Sequence, residues 1–361
     1  MCVLLTNIPT PYRIPVWKEI NTNINLEVIC ISKIEKNRLW NIQNLHFISF
    51  LKSRHLFFEK LDWGFHFTIP FSLFFRLVKK NPEVVIITGY DNYQYWEALL
   101  YIKIFKKKSI FWNGSTLLSS RSENKLVNMV KSIFINNFDG YYTYGTKATE
   151  YLINFGVNNE NIVTGRNTVD SDFFKISTQN ASQNDEIVRF IYVGQLLERK
   201  GLDNTLKAFN KIKNSNWELN IVGTGADEKK LKNMVLELGL SNKVNFLGYK
   251  QQEDILEYFS MSDILVMPSY LEVWGLVLNE GLASGLFCLA SKYAGSTFDL
   301  IEEGKNGFII DPFDIKSFTT VIGNSMNIKF DKKQIKDSLK VSPITESAKI
   351  LKAIEKVMKN D

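Results

Sequence analysis

The sequence predicts an α/β protein built from two doubly wound, Rossmann-like domains. Three observations predict it. The chain has 361 residues, too many for one ordinary core. Short apolar segments alternate from end to end with longer stretches of helical spacing, the signature of parallel α/β sheets. A polar stretch, Lys175 to Glu186, interrupts that alternation, which then begins again. The expected division is 1–174 for a first domain, 175–186 for a linker, 187–342 for a second domain and 343–361 for a C-terminal helix.

The elements follow in order. Val3 to Thr6 reads as a buried strand. The residues before Pro9 and Pro11 have no basic lead and no small-residue cleavage site, so a strand is expected and not a signal peptide. Arg13 to Asn21 carries helical spacing, and Leu26 to Ser32 reads as a strand. Phe71 to Lys80 is an expected helix, Val84 to Thr88 a strand, Tyr95 to Phe105 a helix and Ser109 to Trp112 a strand. Tyr141 to Tyr144 and Ile162 to Thr164 extend the pattern. After the polar stretch come strand Val188 to Val193, helix Asn204 to Ile212, strand Glu218 to Val222 and helix Glu228 to Leu238. Val244 to Leu247, Ile264 to Met267 and Phe287 to Ala290 are further strands. Pro343 and Thr345 open a last helix, Glu346 to Met358, with Thr345 as its N-cap. Ala348, Leu351, Ile354 and Val357 are expected along its buried face.

Composition narrows the function. Hydrophobic residues make up 45% and charged residues 23%, as in a globular protein. No apolar run reaches the roughly 20 residues of a membrane-spanning helix. Cys2, Cys30 and Cys288 are scattered in apolar runs, which speaks for buried thiols and a reducing compartment and against disulfides. His46, His55 and His66 lack metal-ligand spacing, and no metal is expected. A net charge of +6 suits an anionic partner, such as a nucleotide diphosphate, a lipid phosphate or a membrane surface; it is small for a nucleic-acid binder.

Open parallel sheets bind ligands beyond the carboxyl ends of their strands, so two facing domains suggest a two-substrate enzyme. The segment after strand 264–267 is the richest in chemistry. Glu272 lies in its loop, beside Val273 and Trp274. Gly275 lets backbone approach a ligand and can open a helix, whose first amides at Leu276 and Val277 would suit a phosphate. Glu280, on the first turns of that helix, could accept bonds from ribose hydroxyls. A second segment ends strand 188–193: Gly194 and Gln195 turn the chain, and Arg199 and Lys200 place two cations where a diphosphate would sit. Gly223 and Gly225 end a third strand; they match neither the dinucleotide fingerprint nor a P-loop, and read as a pocket floor or a plain turn. For each charged residue a solvated surface turn is the alternative reading.

These segments resemble family four of the retaining glycosyltransferases, the GT-B group that includes many bacterial polysaccharide and lipopolysaccharide enzymes. The resemblance rests on Glu272 and Glu280 at a spacing of seven intervening residues, on Val193-Gly-Gln-Leu-Leu-Glu-Arg-Lys-Gly201, on Val222-Gly-Thr-Gly225 and on Phe246-Leu-Gly248. Asn167-Thr-Val-Asp170 and Asn7-Ile-Pro-Thr-Pro-Tyr-Arg13 add to it toward the N-terminus. It implies a GT-B fold whose C-terminal helix returns to the first domain. It implies transfer of a sugar from a UDP- or GDP-linked donor to a glycan or lipid-linked glycan acceptor, with retention, without metal or other cofactor, and in the cytoplasm. Lys200, aided by Arg199, would hold the donor diphosphate, Glu272 the sugar hydroxyls, Glu280 the ribose, and amides of Gly275 to Val277 phosphate or sugar.

Two departures stand out. Gln195 occupies a position where the family commonly has Arg, and Arg199 is the candidate to replace it. Phe111-Trp-Asn-Gly-Ser-Thr116 lacks the His many relatives carry, leaving Asn113 to position sugar or acceptor. Tyr12, Arg13 and Asp91 are the other acceptor-side candidates, each with a packing, surface or capping alternative. The resemblance implies same-face attack as the route to retention; for the alternative, double displacement, only Glu272 and Asp91 offer a carboxylate. A sugar-nucleotide epimerase of this fold and a non-catalytic sugar-nucleotide binder are the competing readings. The aromatic and basic residues of Phe71 to Lys80 and the cluster Lys106 to Lys108 suggest either a packed helix or a peripheral site on the inner membrane face.

Overall fold

The structure, a computed structural model, describes residues 1–33, 45–51, 53–57, 64–68, 71–119, 124–175, 187–212 and 216–359. The chain divides into two compact units, Met1–Arg166 with Pro343–Asp361, and Asn167–Ser342.

The first unit runs β1 (Cys2–Thr6), α1 (Ile14–Asn23), β2 (Leu26–Cys30), β3 (Ile48–Phe50), β4 (Ser53–Phe57), β5 (Gly64–Thr68), α2 (Ser72–Lys80), β6 (Val84–Ile87), α3 (Tyr93–Phe105), β7 (Lys108–Asn113), α4 (Lys125–Ile135), β8 (Gly140–Tyr144), α5 (Gly145–Asn154) and β9 (Ile162–Gly165). Its parallel sheet has the order β3-β2-β1-β6-β7-β8-β9, with β4 and β5 apart as an antiparallel pair. The reversal of order at β1 is the doubly wound arrangement that creates a ligand crevice. The strands β1, β6 and β8 are buried throughout, as a sheet covered by helices on both faces requires.

The second unit runs α6 (Ser171–Lys175), β10 (Val188–Val193), α7 (Leu202–Asn210), β11 (Trp217–Val222), α8 (Glu228–Glu237), β12 (Val244–Gly248), α9 (Gln252–Ser260), β13 (Ile264–Met267), α10 (Leu276–Ala283), β14 (Phe287–Ser291), α11 (Thr297–Leu300), β15 (Gly307–Ile310), α12 (Ile315–Ser325) and α13 (Lys332–Ser338). Its sheet has the order β12-β11-β10-β13-β14-β15. The switch point here is β10, between β11 and β13.

The last helix, α14 (Pro343–Lys359), packs on α1 and against β8 and β9, so it returns to the first unit. Its buried face differs from the expected one. Ile350, Ala353, Ile354 and Val357 are buried, while Ala348 is exposed and Leu351 half-exposed. That buried face begins with a carboxylate. Glu346, 1% exposed, accepts bonds from Tyr142 Oη at 2.8 Å and from Arg166 N at 2.6 Å, and Lys349 pairs with its other oxygen. The helix also starts at Pro343, so Thr345 lies inside it and is not its N-cap.

The unit boundary falls after Arg166, earlier than the expected 174. Asn167 to Phe174 packs within the second unit: α6 lies against α10, and Phe174 is fully buried with its ring 6.3 Å from that of Phe259. The polar stretch marks where composition changes; packing changes hands sooner. Of the expected linker, 176–186 lies outside the described residues. Helices α4, α5, α6, α9, α11, α12 and α13 and strands β3, β4, β5 and β15 add to the elements legible in the sequence.

Glu346→Ala removes the acceptor of the buried Tyr142 hydroxyl and one acceptor of the Arg166 amide. A loss of about 2–4 kcal/mol is expected in the first unit's stability, measured by urea denaturation followed through first-unit tryptophans. Glu346→Gln, which keeps an acceptor, loses less.

Candidate functional site

In the second unit two loops leave neighbouring strands at the carboxyl edge of the sheet. The pairing of Phe190 with Ile264 and of Ile191 with Leu265 brings β10 beside β13, so the loops that follow them, 194–201 and 268–275, are also neighbours. They are stitched together: the amides of Tyr270 and Leu271 both donate to Arg199 O, at 2.8 and 3.4 Å. Gly201, φ +73°, closes the short helical turn Glu198–Lys200. A Cβ there would lie 2.1 Å from Pro268 O, so only glycine permits the approach.

That approach joins the two halves of the charge cluster. Lys200 Nζ donates to Glu272 Oε2, and Arg199 Nη1 lies 3.9 Å from the same oxygen. Lys200 and Glu272 are mostly buried and Arg199 is 45% exposed. The charge on Glu272 also reaches Tyr192, whose hydroxyl donates to Gln195 O at 2.7 Å; burial first, then Glu272, pushes that phenol above its ordinary range. Lys200, Arg199 and Glu272 are thus brought together. Gly194 and Gln195 lie just before them, with the Gln195 side chain exposed.

A second loop floors this one. Leu196 N donates to Thr224 O, and Asp227 N donates to Leu196 O, both at 3.0 Å. At Gly225 a Cβ would lie 2.2 Å from Leu196 O. Gly223 and Gly225 therefore allow close contact between the loops after β10 and β11.

The 272–275 loop is fixed from its other side. Glu272 N donates to Tyr293 O at 3.2 Å, Gly295 N to Glu272 O at 3.1 Å, and Ser296 Oγ to Trp274 O at 2.5 Å. Trp274 is 3% exposed, with Nε1 donating to Asn279 Oδ1 at 2.8 Å; Asn279 Nδ2 donates on to Asn167 O at 3.1 Å. The indole is held inside the unit, while the neighbouring Val273 is exposed. Gly275, at φ +89°, caps α10, and the amides of Leu276 and Val277 in its first turn have no carbonyl inside the helix to bond. Such a helix start is a ready site for an anion.

Glu280 lies one turn along α10. Its side chain is partly open to solvent, yet the protein around it raises its carboxyl from 4.5 to about 7, burial being the whole cause. Asn279 and Ser296, both fully buried, hold the 272–275 loop and were missed by the sequence reading. A polar residue inside the apolar run Leu-Val-Leu-Asn-Glu-Gly-Leu-Ala was the available signal, because buried amides require partners.

The other candidates lie in the first unit. Arg13 caps α1; its Nη1 donates to Thr6 Oγ1 at 3.3 Å, and its guanidinium lies 5.5 Å from the Tyr144 ring and 5.9 Å from that of Tyr12. Asn113 is 2% exposed and serves the backbone, donating to Ser115 O and Ala148 O and accepting from Ser115 N. Asp91 is exposed just before α3, whose cap residue is Asn92. The three cysteines are free and buried, and burial pushes Cys2 and Cys30 to about 12. Among the described residues no group of three or more His, Cys, Asp or Glu could hold a metal ion.

Residues 172–337 match the family described as Glycosyl transferases group 1. An uncharacterized glycosyltransferase of Haemophilus influenzae is 27% identical over 262 residues, 69% of this chain and 71% of that protein. The lipopolysaccharide 1,6-galactosyltransferase of Escherichia coli is 26% identical over 193 residues, 52% of this chain and 53% of the enzyme, so the match spans about half of its length. Among solved structures, the apo form of the lipopolysaccharide outer core galactosyltransferase WaaB superposes with a TM-score of 0.75 at 19% identity, over 99% of both chains.

Two stability measurements check the site's construction. Gly225→Ala is expected to cost at least about 2 kcal/mol, whereas Gly323→Ala, on α12 with nothing within 4 Å, gains roughly 0.5–1 kcal/mol. For Glu280 the native carboxyl holds its proton to about pH 7 and the unfolded one only to about 4.5. Its contribution is therefore fully present below pH 4.5 and lost as pH rises through 7. Glu280→Gln should remove that slope and be more stable than the parent above pH 7, as read from urea midpoints across the range.

Proposed function

We propose, on the premise that the chain is a group 1 glycosyltransferase with the GT-B fold, that it transfers a sugar from a nucleotide diphosphate sugar to a glycan or lipid-linked glycan acceptor with retention of configuration. The observation that carries this reading is the meeting of Lys200, Arg199 and Glu272 beside the free first-turn amides of α10. A departing nucleotide diphosphate gathers negative charge in the transition state. Fixed cations and oriented amides stabilise that charge without reorganising, which lowers the barrier.

In this reading Lys200 meets the diphosphate as a point charge and Arg199 as a planar fork. Arg199, already within 3.9 Å of Glu272, supplies the charge that Gln195 does not. Glu272 has two tasks: one oxygen orients Lys200, and the other is left to accept a bond from a donor-sugar hydroxyl. Glu280 accepts from the ribose hydroxyls, and its apolar setting makes ionisation part of nucleotide binding. The loop carrying Gly223 and Gly225 floors the nucleotide pocket. The cations and amides supply the positive charge, so the reading needs no metal.

The bonds balance without an enzymatic nucleophile. The bond between the anomeric carbon and the phosphate oxygen breaks, leaving its electron pair on the diphosphate. The acceptor oxygen bonds the anomeric carbon on the same face, and its proton passes to the departing phosphate oxygen. Arg13 with Tyr12, in the first unit, and Asp91 are the residues proposed to meet the acceptor; Asn113 shapes the loop after β7. The named function of the Escherichia coli relative supports assembly of a bacterial surface polysaccharide or lipopolysaccharide as the setting.

Isothermal titration with UDP and with GDP tests the donor site. One nucleotide is expected to bind, with Lys200→Ala and Glu280→Ala each weakening it about tenfold or more, or about 1.4 kcal/mol. Arg199→Ala should weaken it less. Affinity should fall as pH drops below about 7, where Glu280 takes up its proton, and Glu280→Gln should flatten that dependence. Binding indifferent to Lys200 and Glu280 would remove the site.

A further inference from the structure

In the first unit Arg13 is a cation set among neutral groups. Its guanidinium lies beyond the carboxyl ends of three strands. Nη1 donates to Thr6 Oγ1 at the end of β1, the Tyr144 ring at the end of β8 is 5.5 Å away, and the charge reaches the Cys30 thiol at the end of β2. The sheet reverses its order at β1, so this is the switch-point crevice where doubly wound sheets take ligands. Gly89, in the loop after β6, closes on the same place: a Cβ there would lie 2.7 Å from Tyr95, another neighbour of the guanidinium.

The groups around the guanidinium are Thr6, Tyr12, Tyr95, Tyr144 and Cys30. Burial pushes Cys30 and Tyr144 to about 12 and raises Tyr95 above its ordinary range, so this thiol and these phenols keep their protons at neutral pH. Among the described residues no carboxylate, Asp91 included, pairs with Arg13. The bonding is incomplete as well. Arg13 N donates to Thr10 O at 3.0 Å, but Arg13 Nε is buried without a hydrogen-bond partner. In the same turn Thr10, 4% exposed, has a buried hydroxyl that also lacks one.

A charge taken from water into such surroundings is unfavourable unless something neutralises it. An uncharged amide could donate to Thr6 without that cost, and it would hold a sugar hydroxyl equally well. A cation is repaid only by a ligand that brings an opposite charge. A carboxylate or a phosphate does so, and either accepts two parallel bonds from the planar fork of a guanidinium. Arg13 is partly open to solvent, and the rings of Tyr144 and Tyr12, at 5.5 and 5.9 Å, hold its guanidinium in place.

We propose that Arg13 binds an acidic group of the acceptor, a carboxylate or a phosphate, so that the acceptor is an acidic or phosphorylated glycan and not a neutral one. That the anion belongs to the acceptor rests on the transfer reading above; the anion site itself rests on the first unit alone.

Isothermal titration of the full chain with glucuronate, with inorganic phosphate and with glucose, at constant ionic strength, tests this. Glucuronate or phosphate should bind, and glucose should not. Tighter binding of glucuronate marks a carboxylate on the acceptor and tighter binding of phosphate a phosphate; either supports the proposal. Arg13→Gln keeps a donor but no charge. It should weaken the anion about tenfold or more, with a thermal midpoint in chloride equal to or above the parent's. Arg13→Lys, which keeps the charge and loses the fork, should bind at an intermediate affinity. If Arg13→Gln does not fold, Arg13→Lys decides: weakened binding supports the site and unchanged binding overturns it. Lys200→Ala should bind the anion like the parent, so a failure of the donor site is read separately. The proposal is overturned if neither anion binds, if glucose binds as well as glucuronate, or if Arg13→Gln binds the anion like the parent. It is also overturned if Lys200→Ala abolishes binding and Arg13→Gln does not, because the anion would then sit in the second unit.

Discussion

The parallel pairing of β10 with β13 is the constraint from which the candidate site follows. The two strands lie 70 or more residues apart in sequence but share a register at Phe190–Ile264 and Ile191–Leu265. Adjacent parallel strands point their carboxyl ends the same way, so the loops after them meet. Once they meet, Gly201 admits the carbonyl of Pro268, Arg199 O takes two amides from the other loop, and Lys200 reaches Glu272. Each contact presupposes the one before it. The ion pair is a consequence of the sheet order and contributes little to making it, since the cost of desolvating a mostly buried pair offsets its attraction.

The candidate site is held by hydrogen bonds among buried polar groups behind it. Trp274, Asn279 and Asn167 form one buried chain of hydrogen bonds, and Ser296 closes the loop from the far side. Catalysis by electrostatic stabilisation needs charges and dipoles already in place when the transition state forms, and such a shell supplies that. Glu280 shows the opposite tension: burial makes its ionised form unfavourable in the free protein, so stability is lower than a neutral side chain would give. Residues kept against stability are a mark of function.

Glu346 plays a comparable part in the first unit. A carboxylate on the buried face of an amphipathic helix is unfavourable unless fully bonded, and here Tyr142, Arg166 and Lys349 bond it. It ties the start of the returning helix to the last residue of the unit's first pass, so both ends of the chain's excursion through the second unit are anchored at one point.

The sequence by itself determined the alternation of strands and helices and the two doubly wound domains. These are short-range properties: buried parallel strands must be apolar, and a loop after a strand must turn. Only the tertiary structure decided the rest. Of the four apolar positions read along one face of α14, Ile354 and Val357 are buried and Ala348 and Leu351 are not, while Glu346 is buried through a bond to a tyrosine some two hundred positions away. The unit boundary fell at Arg166 because packing, not composition, assigns Phe174. Asn279 stands out in the sequence as a polar residue in an apolar run, but its partners, like those of Ser296, are a matter of distance in space, which residue spacing does not encode until the sheet has fixed which loops are neighbours.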